Sequence, residues 1–157
     1  MSVIDIQTAL DHQRIDADDS LDDAQLKLDA AEQAAMQFLN RNFYADPAAL
    51  SAARATVPAL HAAAVLARDQ ALQDAEIITD LEYRQLLIDA AESMYLEAKA
   101  AINQILLGIV VTTDIKGAVL LTFGHLYENR EDVGVSMAEL PKGAHSMLWP
   151  FRAQLGV

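Results

Sequence analysis

The spacing of apolar residues along the chain predicts a protein built from helices. The clearest pattern follows residue 80, where apolar positions recur every three or four residues. These positions are Leu87, Ala90, Met94, Ala98, Ala101 and Ile105. Because an α-helix turns once in about 3.6 residues, this spacing places the six side chains on one face. The pattern predicts a long helix that buries this face and ends at Gly108.

Two helices are predicted in the first 46 residues. The first covers residues 3–15 and places three apolar side chains on one side, Ile4, Ile6 and Leu10. The second begins after an N-cap at Ser20 and extends to about Asn42. Its predicted buried face consists of Ala24, Leu28, Ala31, Ala35 and Phe38.

Residues 47–107 are predicted to form an inserted helical hairpin. The pair Asp46 and Pro47 supplies the N-cap and first residue of a third helix. Pro58 lies inside that pattern and predicts either a kink or a division into two pieces. The spacing of Thr79 and Glu82 resembles a capping box and predicts the start of the long helix.

The last third of the chain is expected to hold a short extended segment followed by helices. Residues 109–113 are rich in β-branched side chains and predict one short strand. Asp114 is expected to cap a helix over residues 115–131. Pro141 is expected to open a last short helix or turn that ends near Arg152.

Composition supports an all-α fold of one domain over residues 1–157. The hydrophobic fraction of 53% is enough for a core, and aromatic residues make up only 6%. All six glycines lie in the last 50 residues, so the first 107 positions favour long helices. The predicted fold class is a helical bundle of long helices with an inserted hairpin and at most one short strand or β-hairpin.

The charge distribution argues against binding of nucleic acid through phosphate neutralisation, because the net charge is -12. The first 46 residues hold ten acidic and three basic side chains. The C-terminal segment 140–157 instead holds Lys142 and Arg152 and no acidic side chain. No cysteine, signal-peptide pattern or apolar run of spanning length is found, so no disulfide and no membrane association are predicted.

No catalytic residue, cofactor or metal site is predicted. The four histidines are His12, His61, His125 and His145. A di-metal site in a helical bundle needs paired Glu-x-x-His motifs, whereas this chain has one reversed pair, His125 and Glu128. No glycine-rich phosphate loop or nucleophile motif is present.

Two segments near the C-terminus combine polar, aromatic and basic residues. GHLYENRE, residues 124–131, places a His, a Tyr, two acids and an Arg on a helix that is otherwise apolar. This is typical either of a helix end that leaves the core or of a contact surface. LPKGAHSMLWPFR, residues 140–152, either folds back on the core or exposes an aromatic and arginine anchor of the kind found at interface hot spots.

Together these segments resemble the head-tail connectors (adaptors) of long-tailed bacteriophages. That family carries an apolar helix I-K-x-A-x-x-L ending in H-x-Y-E-N-R-E, then L-P-x-G and a P-[FY]-R tail. The matching residues here are Ile115, Lys116, Ala118, Leu121, His125, Tyr127, Glu128, Asn129, Arg130, Glu131, Leu140, Pro141, Gly143, Leu148, Pro150, Phe151 and Arg152. Residues 5–43 are also similar to the family's opening, whereas residues 45–113 depart from its compact members by the inserted hairpin.

The resemblance implies a structural protein of the virion. It implies a homo-oligomeric ring, expected to be a dodecamer, between the portal protein and a tail-side head-completion or tail-terminator protein. The ring would close the DNA-filled head and surround a channel through which genomic DNA passes without sequence-specific binding. The chain would be made in the bacterial host cytoplasm and reside at the head-tail junction.

The resemblance also assigns residues to two contacts. The portal-docking tail would use Leu140, Pro141, Leu148, Trp149, Pro150, Phe151 and Arg152. The subunit interface would use His125, Tyr127, Glu128, Asn129 and Arg130. The residues that line the channel are not identified by the sequence.

Two other classes of function stay open. One is a bacterial or prophage helical-bundle interaction or regulatory protein without a virion role, in which the tail closes the core. The other is a helical enzyme that uses His125 and nearby carboxylates.

Overall fold

A computed structural model of the chain describes residues 2–15, 21–128 and 140–153. Helices account for 80% of these residues, which confirms the prediction of a mostly helical protein. The α-helices are α1 (Ile6–Gln13), α2 (Leu21–Leu39), α3 (Pro47–Glu76), α4 (Leu81–Leu106), α5 (Thr113–Glu128) and α6 (Lys142–Leu148). A 3-10 turn at Trp149–Phe151 follows α6, and two short strands are β1 (Phe43–Tyr44) and β2 (Ile109–Val110).

The chain divides into two compact units. The first unit comprises Met1–Pro47 and Ile109–Val157, within which the described residues form α1, α2, α5, α6 and both strands. The second, here called the hairpin unit, comprises Ala48–Gly108 and contains most of α3 and all of α4.

The core of the first unit lies where α5 packs between α2 and α6, with α1 against α2 and α5. Its fully buried large side chains are Leu10, Leu28, Leu39, Ile115, Val119, Phe123 and Leu148. The predicted face of α2 is confirmed at four of its five positions, which are buried: Ala24, Leu28, Ala31 and Ala35. Small residues at these positions let α5 approach α2 closely.

Helices α1 and α2 both end in a residue with positive φ. Asn40 has φ 55°, and the next amide, of Arg41, donates to the carbonyl of Met36 at 3.2 Å. This geometry is a Schellman cap, and it ends α2 at Leu39, three residues before the predicted Asn42. The predicted N-cap, Ser20, lies outside the described residues.

The two strands form a parallel pair in which Phe43 is opposite Ile109. The amide of Ile109 donates to the carbonyl of Asn42 at 2.9 Å, and the amide of Val111 donates to the carbonyl of Tyr44 at 3.0 Å. The β-branched segment after Gly108 predicted β2. The prediction of at most one strand or β-hairpin was wrong, because the described residues form two strands, β1 and β2. The two strands are parallel and lie far apart in the sequence, so they do not form a β-hairpin.

The hairpin unit has defined contacts at both of its ends. At the turn, Asp80 accepts from the amide of Tyr83 at 3.0 Å, and Arg84 donates from Nε to the carbonyl of Ile78 at 2.9 Å. Asp80 therefore takes the N-cap position that Thr79 was predicted to fill. At the other end, Arg54 donates from Nε to the carbonyl of Leu106 at 3.1 Å.

Helix α3 continues through Pro58 as one element, so a division into two pieces is ruled out. A proline inside a helix removes one amide donor and crowds the preceding turn, at a cost of about 3 kcal/mol. The residues around Pro58 are mostly alanines, whose high helix propensity favours continuation.

The face that α4 buries differs from the predicted one. Ala91 and Ile102 are buried, whereas Met94 is 60% exposed and Ala90 and Ala101 are also exposed. Apolar residues occur at helical spacing on two neighbouring faces of α4, and a single neighbouring helix covers only one of them. Of the six predicted positions, three are half-buried, Leu87, Ala98 and Ile105, and three are exposed, Ala90, Met94 and Ala101.

Helix α3 is also poorly covered, since Ala75 is its one buried residue. Among the described residues, α3 alone is long and apolar enough to cross a membrane by length and composition. Its most apolar window has a mean hydropathy of 1.3, and none of that window is buried. The prediction of no membrane association stays a prediction.

Candidate functional site

The described part of the GHLYENRE segment, residues 124–128, begins inside the core and reaches the surface at Glu128. Helix α5 starts at Thr113, and the hydroxyl of Thr112 accepts from the amide of Ile115 at 3.4 Å. Thr112 therefore occupies the capping position predicted for Asp114, which lies in the first turn. Toward the other end of α5, Gly124 is buried where the side chain of Gln13 approaches, so a β-carbon there would displace Gln13.

The residues predicted to form a subunit interface have different surroundings. Glu128 is exposed, whereas His125 and Tyr127 are half-buried. The ring of Tyr127 lies 5.9 Å from that of Phe123, and Lys27 places its ammonium group 4.8 Å from the centre of the Tyr127 ring. Tyr127 thus packs on its own chain. The predicted interface residues Asn129 and Arg130 lie outside the described residues.

Lys27 is itself positioned by a second contact on α2. Its Nζ lies 2.7 Å from a carboxylate oxygen of Asp23, one helical turn earlier. The two side chains are partly buried, with 15% of Lys27 and 39% of Asp23 exposed, and a pair one helical turn apart contributes about 0.2–0.5 kcal/mol. Its consequence is geometric, because it holds a positive charge over the face of Tyr127 near the end of α5.

The C-terminal tail forms a cluster of rings and one guanidinium group, here called the aromatic cluster: Phe38, His145, Trp149 and Arg152. The His145 ring lies 4.9 Å from Phe38 and is stacked on Trp149 at 5.4 Å. The guanidinium carbon of Arg152 lies 5.2 Å from the Phe38 ring centre and 5.7 Å from that of Trp149. These cation–π contacts fix the direction in which Arg152 presents its charge.

The aromatic cluster remains open to solvent on one side. Trp149 is 48% exposed, and His145 and Arg152 are exposed as well. Phe38 comes from α2, so the cluster joins the tail to a helix more than 100 positions earlier in the sequence. Exposed tryptophan and arginine side chains held in place by their neighbours are the residues most enriched in interface hot spots.

The remaining predicted docking residues are divided between surface and core. Leu140, Pro141 and Phe151 are half-buried and Pro150 is exposed. Leu148 is fully buried, and the amide of Ala153 donates to the carbonyl of Leu39 at 3.0 Å. Leu148 is therefore a core residue here, and a portal contact by its side chain would require the tail to leave the core.

A groove lies beside the aromatic cluster, between α2, α5 and the start of α6. It is lined by Ala34, Gln37, Phe38, Thr122, His125, Leu126, Leu140, Pro141, Lys142, His145 and Ser146. None of the described residues that line it is acidic. The groove and the cluster together form a surface that is apolar and basic on a chain whose net charge is -12.

A buried acidic residue was not predicted from the sequence. Glu32 is 3% exposed, and its two carboxylate oxygens accept from the amides of Val3 at 3.0 Å and Ile4 at 2.7 Å. Burial raises the pKa of Glu32 above its ordinary value, and the amide hydrogen bonds lower it by less. Its position four residues after Leu28, on the apolar face of α2, is the signal that marks it in the sequence.

Within residues 2–15, 21–128 and 140–153, no group of three or more His, Cys, Asp or Glu side chains is placed to hold a metal ion. Comparison with protein-family models, with curated proteins and with solved structures finds no match to this chain.

Proposed function

We propose that this chain is a head-tail connector of a tailed bacteriophage, which assembles as a ring between the portal and the tail. The observation that carries the proposal is the motif from Ile115 to Arg152, whose order and spacing resemble those of the connector family. The exposed aromatic cluster supports it, because the last residues of that motif lie on an open surface.

Portal docking is assigned to the exposed part of the tail. Trp149 and Arg152 supply an aromatic face and a positive charge, and Leu140, Pro141, Pro150 and Phe151 flank them. Buried aromatic and arginine anchors commonly cost about 2 kcal/mol or more each when they are truncated. In a ring, which we expect to be twelve-fold, many weak contacts act together and raise the avidity for the portal.

Contacts between neighbouring subunits are assigned to the end of α5. Glu128 is exposed there, and His125 and Tyr127 are half-buried next to it. Asn129 and Arg130 follow directly in the sequence and complete the proposed interface. A carboxylate on one subunit and a guanidinium on the next would give the ring a defined register.

The charge of the chain supports a passive channel. A subunit with net charge -12, repeated around a ring, surrounds the channel with negative potential that repels DNA phosphates. Genomic DNA then passes without being held. The face of the ring opposite the portal would receive a tail-side head-completion or tail-terminator protein. The chain would carry out no catalysis in this role and would need no cofactor.

Native mass spectrometry of the purified chain, with and without its portal protein, tests the proposal. The expected result is a ring or a portal-bound species. The Trp149→Ala variant should lose portal binding while remaining folded, and Leu26→Ala is the matched control because Leu26 is 69% exposed on α2. A monomer or dimer indifferent to the portal contradicts the proposal.

The second candidate is a bacterial or prophage interaction protein with no virion role. Burial of Leu148 and the hydrogen bond from Ala153 to Leu39 favour it, because they use the tail to close the core. In that case neither the wild-type chain nor Trp149→Ala should bind the portal protein, and both should stay a monomer or dimer. Native mass spectrometry of the two chains with the portal protein therefore separates the candidates.

A further inference from the structure

The hairpin unit leaves a stripe of apolar residues uncovered on α4. Tyr83 is 49% exposed, Leu86 64% and Met94 60%, and Ala90 and Ala101 are exposed between and after them. These five residues, here called the exposed stripe, recur at intervals of three, four or seven residues. They therefore lie on one face of the helix, which they share with the exposed Glu97, three residues after Met94 and four before Ala101.

Helix α3 contributes a second uncovered apolar surface. Between Pro47 and Ala67 its only ionisable side chains are Arg54 and His61. Leu60 is 42% exposed and Leu66 70%. Exposed apolar side chains repeated along a helix are typical of a surface that a partner covers.

The charges of the hairpin unit are distributed unevenly along its length. Its root half, residues 48–67 and 98–108, carries two basic side chains, Arg54 and Lys99, and no acidic one. Its tip half, residues 68–97, carries eight acidic and two basic side chains. The net charges are thus +2 at the root and -6 at the tip.

We propose that the exposed stripe packs against the same stripe of a second copy of this chain, with the two hairpins antiparallel. Apolar association covers the stripes, and the charges select the direction. In a parallel pair the two tips, each with net charge -6, would lie side by side. In an antiparallel pair each acidic tip lies beside the basic root of the other copy, which is the favourable arrangement.

The proposed pair has two-fold symmetry and is closed. Met94 lies at the middle of α4, which runs from residue 81 to 106, so it would face its own copy near the two-fold axis. Leu86 would lie next to Ala101 of the other copy. The pairing uses the hairpin unit alone, whereas the proposed portal and ring contacts use the first unit, so either proposal can fail while the other holds. Because a two-fold axis turns one copy over relative to the other, the pair is a form of the chain in solution and not a contact between neighbours in a cyclic ring.

Sedimentation equilibrium of the full chain tests the pairing. The chain should form dimers at micromolar concentration in the absence of portal protein. Met94→Glu should weaken pairing at least about a hundredfold, because each dimer would lose two buried methionines and bury two charges. Leu26→Glu is the matched control, since it places the same charge on an exposed leucine of α2 and should leave pairing unchanged. Circular dichroism checks that both variants remain helical.

Cross-linking tests the direction of the pair, and the chain has no native cysteine to interfere. Leu86→Cys and Ala101→Cys lie 15 residues apart, or about 22 Å along the helix. With a short bismaleimide, a mixture of the two single variants should cross-link, while each alone should not. Met94→Cys alone should cross-link to itself.

Three results would overturn the proposal. The first is a chain that stays unpaired, or pairing that Met94→Glu leaves intact. The second is self-cross-linking of Leu86→Cys, which would indicate a parallel pair. The third is binding to phosphatidylcholine vesicles that Met94→Glu abolishes, without pairing in solution, which would assign the apolar surface to a lipid partner.

Discussion

Replacing Glu32 with alanine should destabilise the first unit more than any exposed acid replacement. The Glu32 carboxylate is the acceptor for the amides of Val3 and Ile4, at 3.0 and 2.7 Å. Ile4 is 4% exposed, so water cannot easily replace the lost acceptor. Because Glu32 lies in the middle of α2, the two hydrogen bonds attach the segment before α1 to the core.

The expected loss follows from these two hydrogen bonds. Each buried amide left without a partner costs about 1–3 kcal/mol. The Val3 amide is only partly buried and regains some hydration, and removal of a buried carboxyl group offsets part of the loss. The variant should lower the free energy of unfolding by about 2–3 kcal/mol, and the melting temperature by roughly 4–12 °C.

Urea unfolding followed by tryptophan fluorescence measures this change. Trp149 is the only tryptophan and belongs to the first unit, so its signal reports that unit rather than the hairpin unit. Glu128→Ala is the control, since Glu128 is an exposed glutamate of the same unit. If Glu32→Ala and Glu128→Ala differ by less than about 0.5 kcal/mol in the free energy of unfolding, the bonds to Val3 and Ile4 do not hold the N-terminal segment.

Three further predictions concern the same unit. Since burial raises the pKa of Glu32, the folded state binds its proton more tightly than the unfolded state. The wild-type chain should therefore lose stability relative to Glu32→Gln as the pH rises from 4.5 through the raised pKa. Urea unfolding at a series of pH values measures this, and a gain in stability relative to Glu32→Gln would contradict the prediction. Leu148→Ala should lower the free energy of unfolding by about 3–5 kcal/mol and Trp149→Ala by about 1 kcal/mol, because the first side chain is fully buried and the second half-exposed. Equal losses of melting temperature would refute the division of the tail into a core residue and a surface residue. Replacing residues 48–108 with a short Gly-Ser linker should leave the fluorescence melt of the first unit cooperative, because β1 and β2 already lie side by side, and loss of the transition would show that the hairpin unit belongs to the core.

Helices were predictable from this sequence because their signals are local. The start of α3 at Pro47 and the end of α4 before Gly108 follow from residues within one turn of the helix end. The N-caps were displaced by one or two residues, to Asp80 and Thr112, because neighbouring polar residues offer competing caps. Such competition is settled by backbone geometry that the residue types alone do not fix.

The buried face of α4 was not predictable in the same way. Both the face through Met94 and the face through Ala91 are apolar at helical spacing, and periodicity alone does not rank them. The structure buries Ala91 and Ile102. The β1–β2 pair and the hydrogen bonds from Val3 and Ile4 to Glu32 could not be predicted for the same reason, since they depend on which distant segments meet.

The candidate site was predictable in its residues but not in its arrangement. The sequence placed Trp149 and Arg152 close together near the chain end, but Phe38, which completes the aromatic cluster, comes from α2. The sequence offers two alternatives for the tail, folding on the core or exposing an anchor. The structure assigns each to different residues of the same short segment.

That division has a geometric cause and bears on both proposed functions. Neighbouring residues on a helix point about 100° apart, so Leu148 enters the core while Trp149 faces solvent. A tail of this kind stabilises the first unit and presents a docking surface without having to unfold. Loss of stability in Leu148→Ala is therefore compatible with either function, and it carries no information about the portal. Only Trp149 and Arg152, which contribute little to the core, separate the two: a connector needs them for attachment, whereas a protein whose tail only closes the core does not.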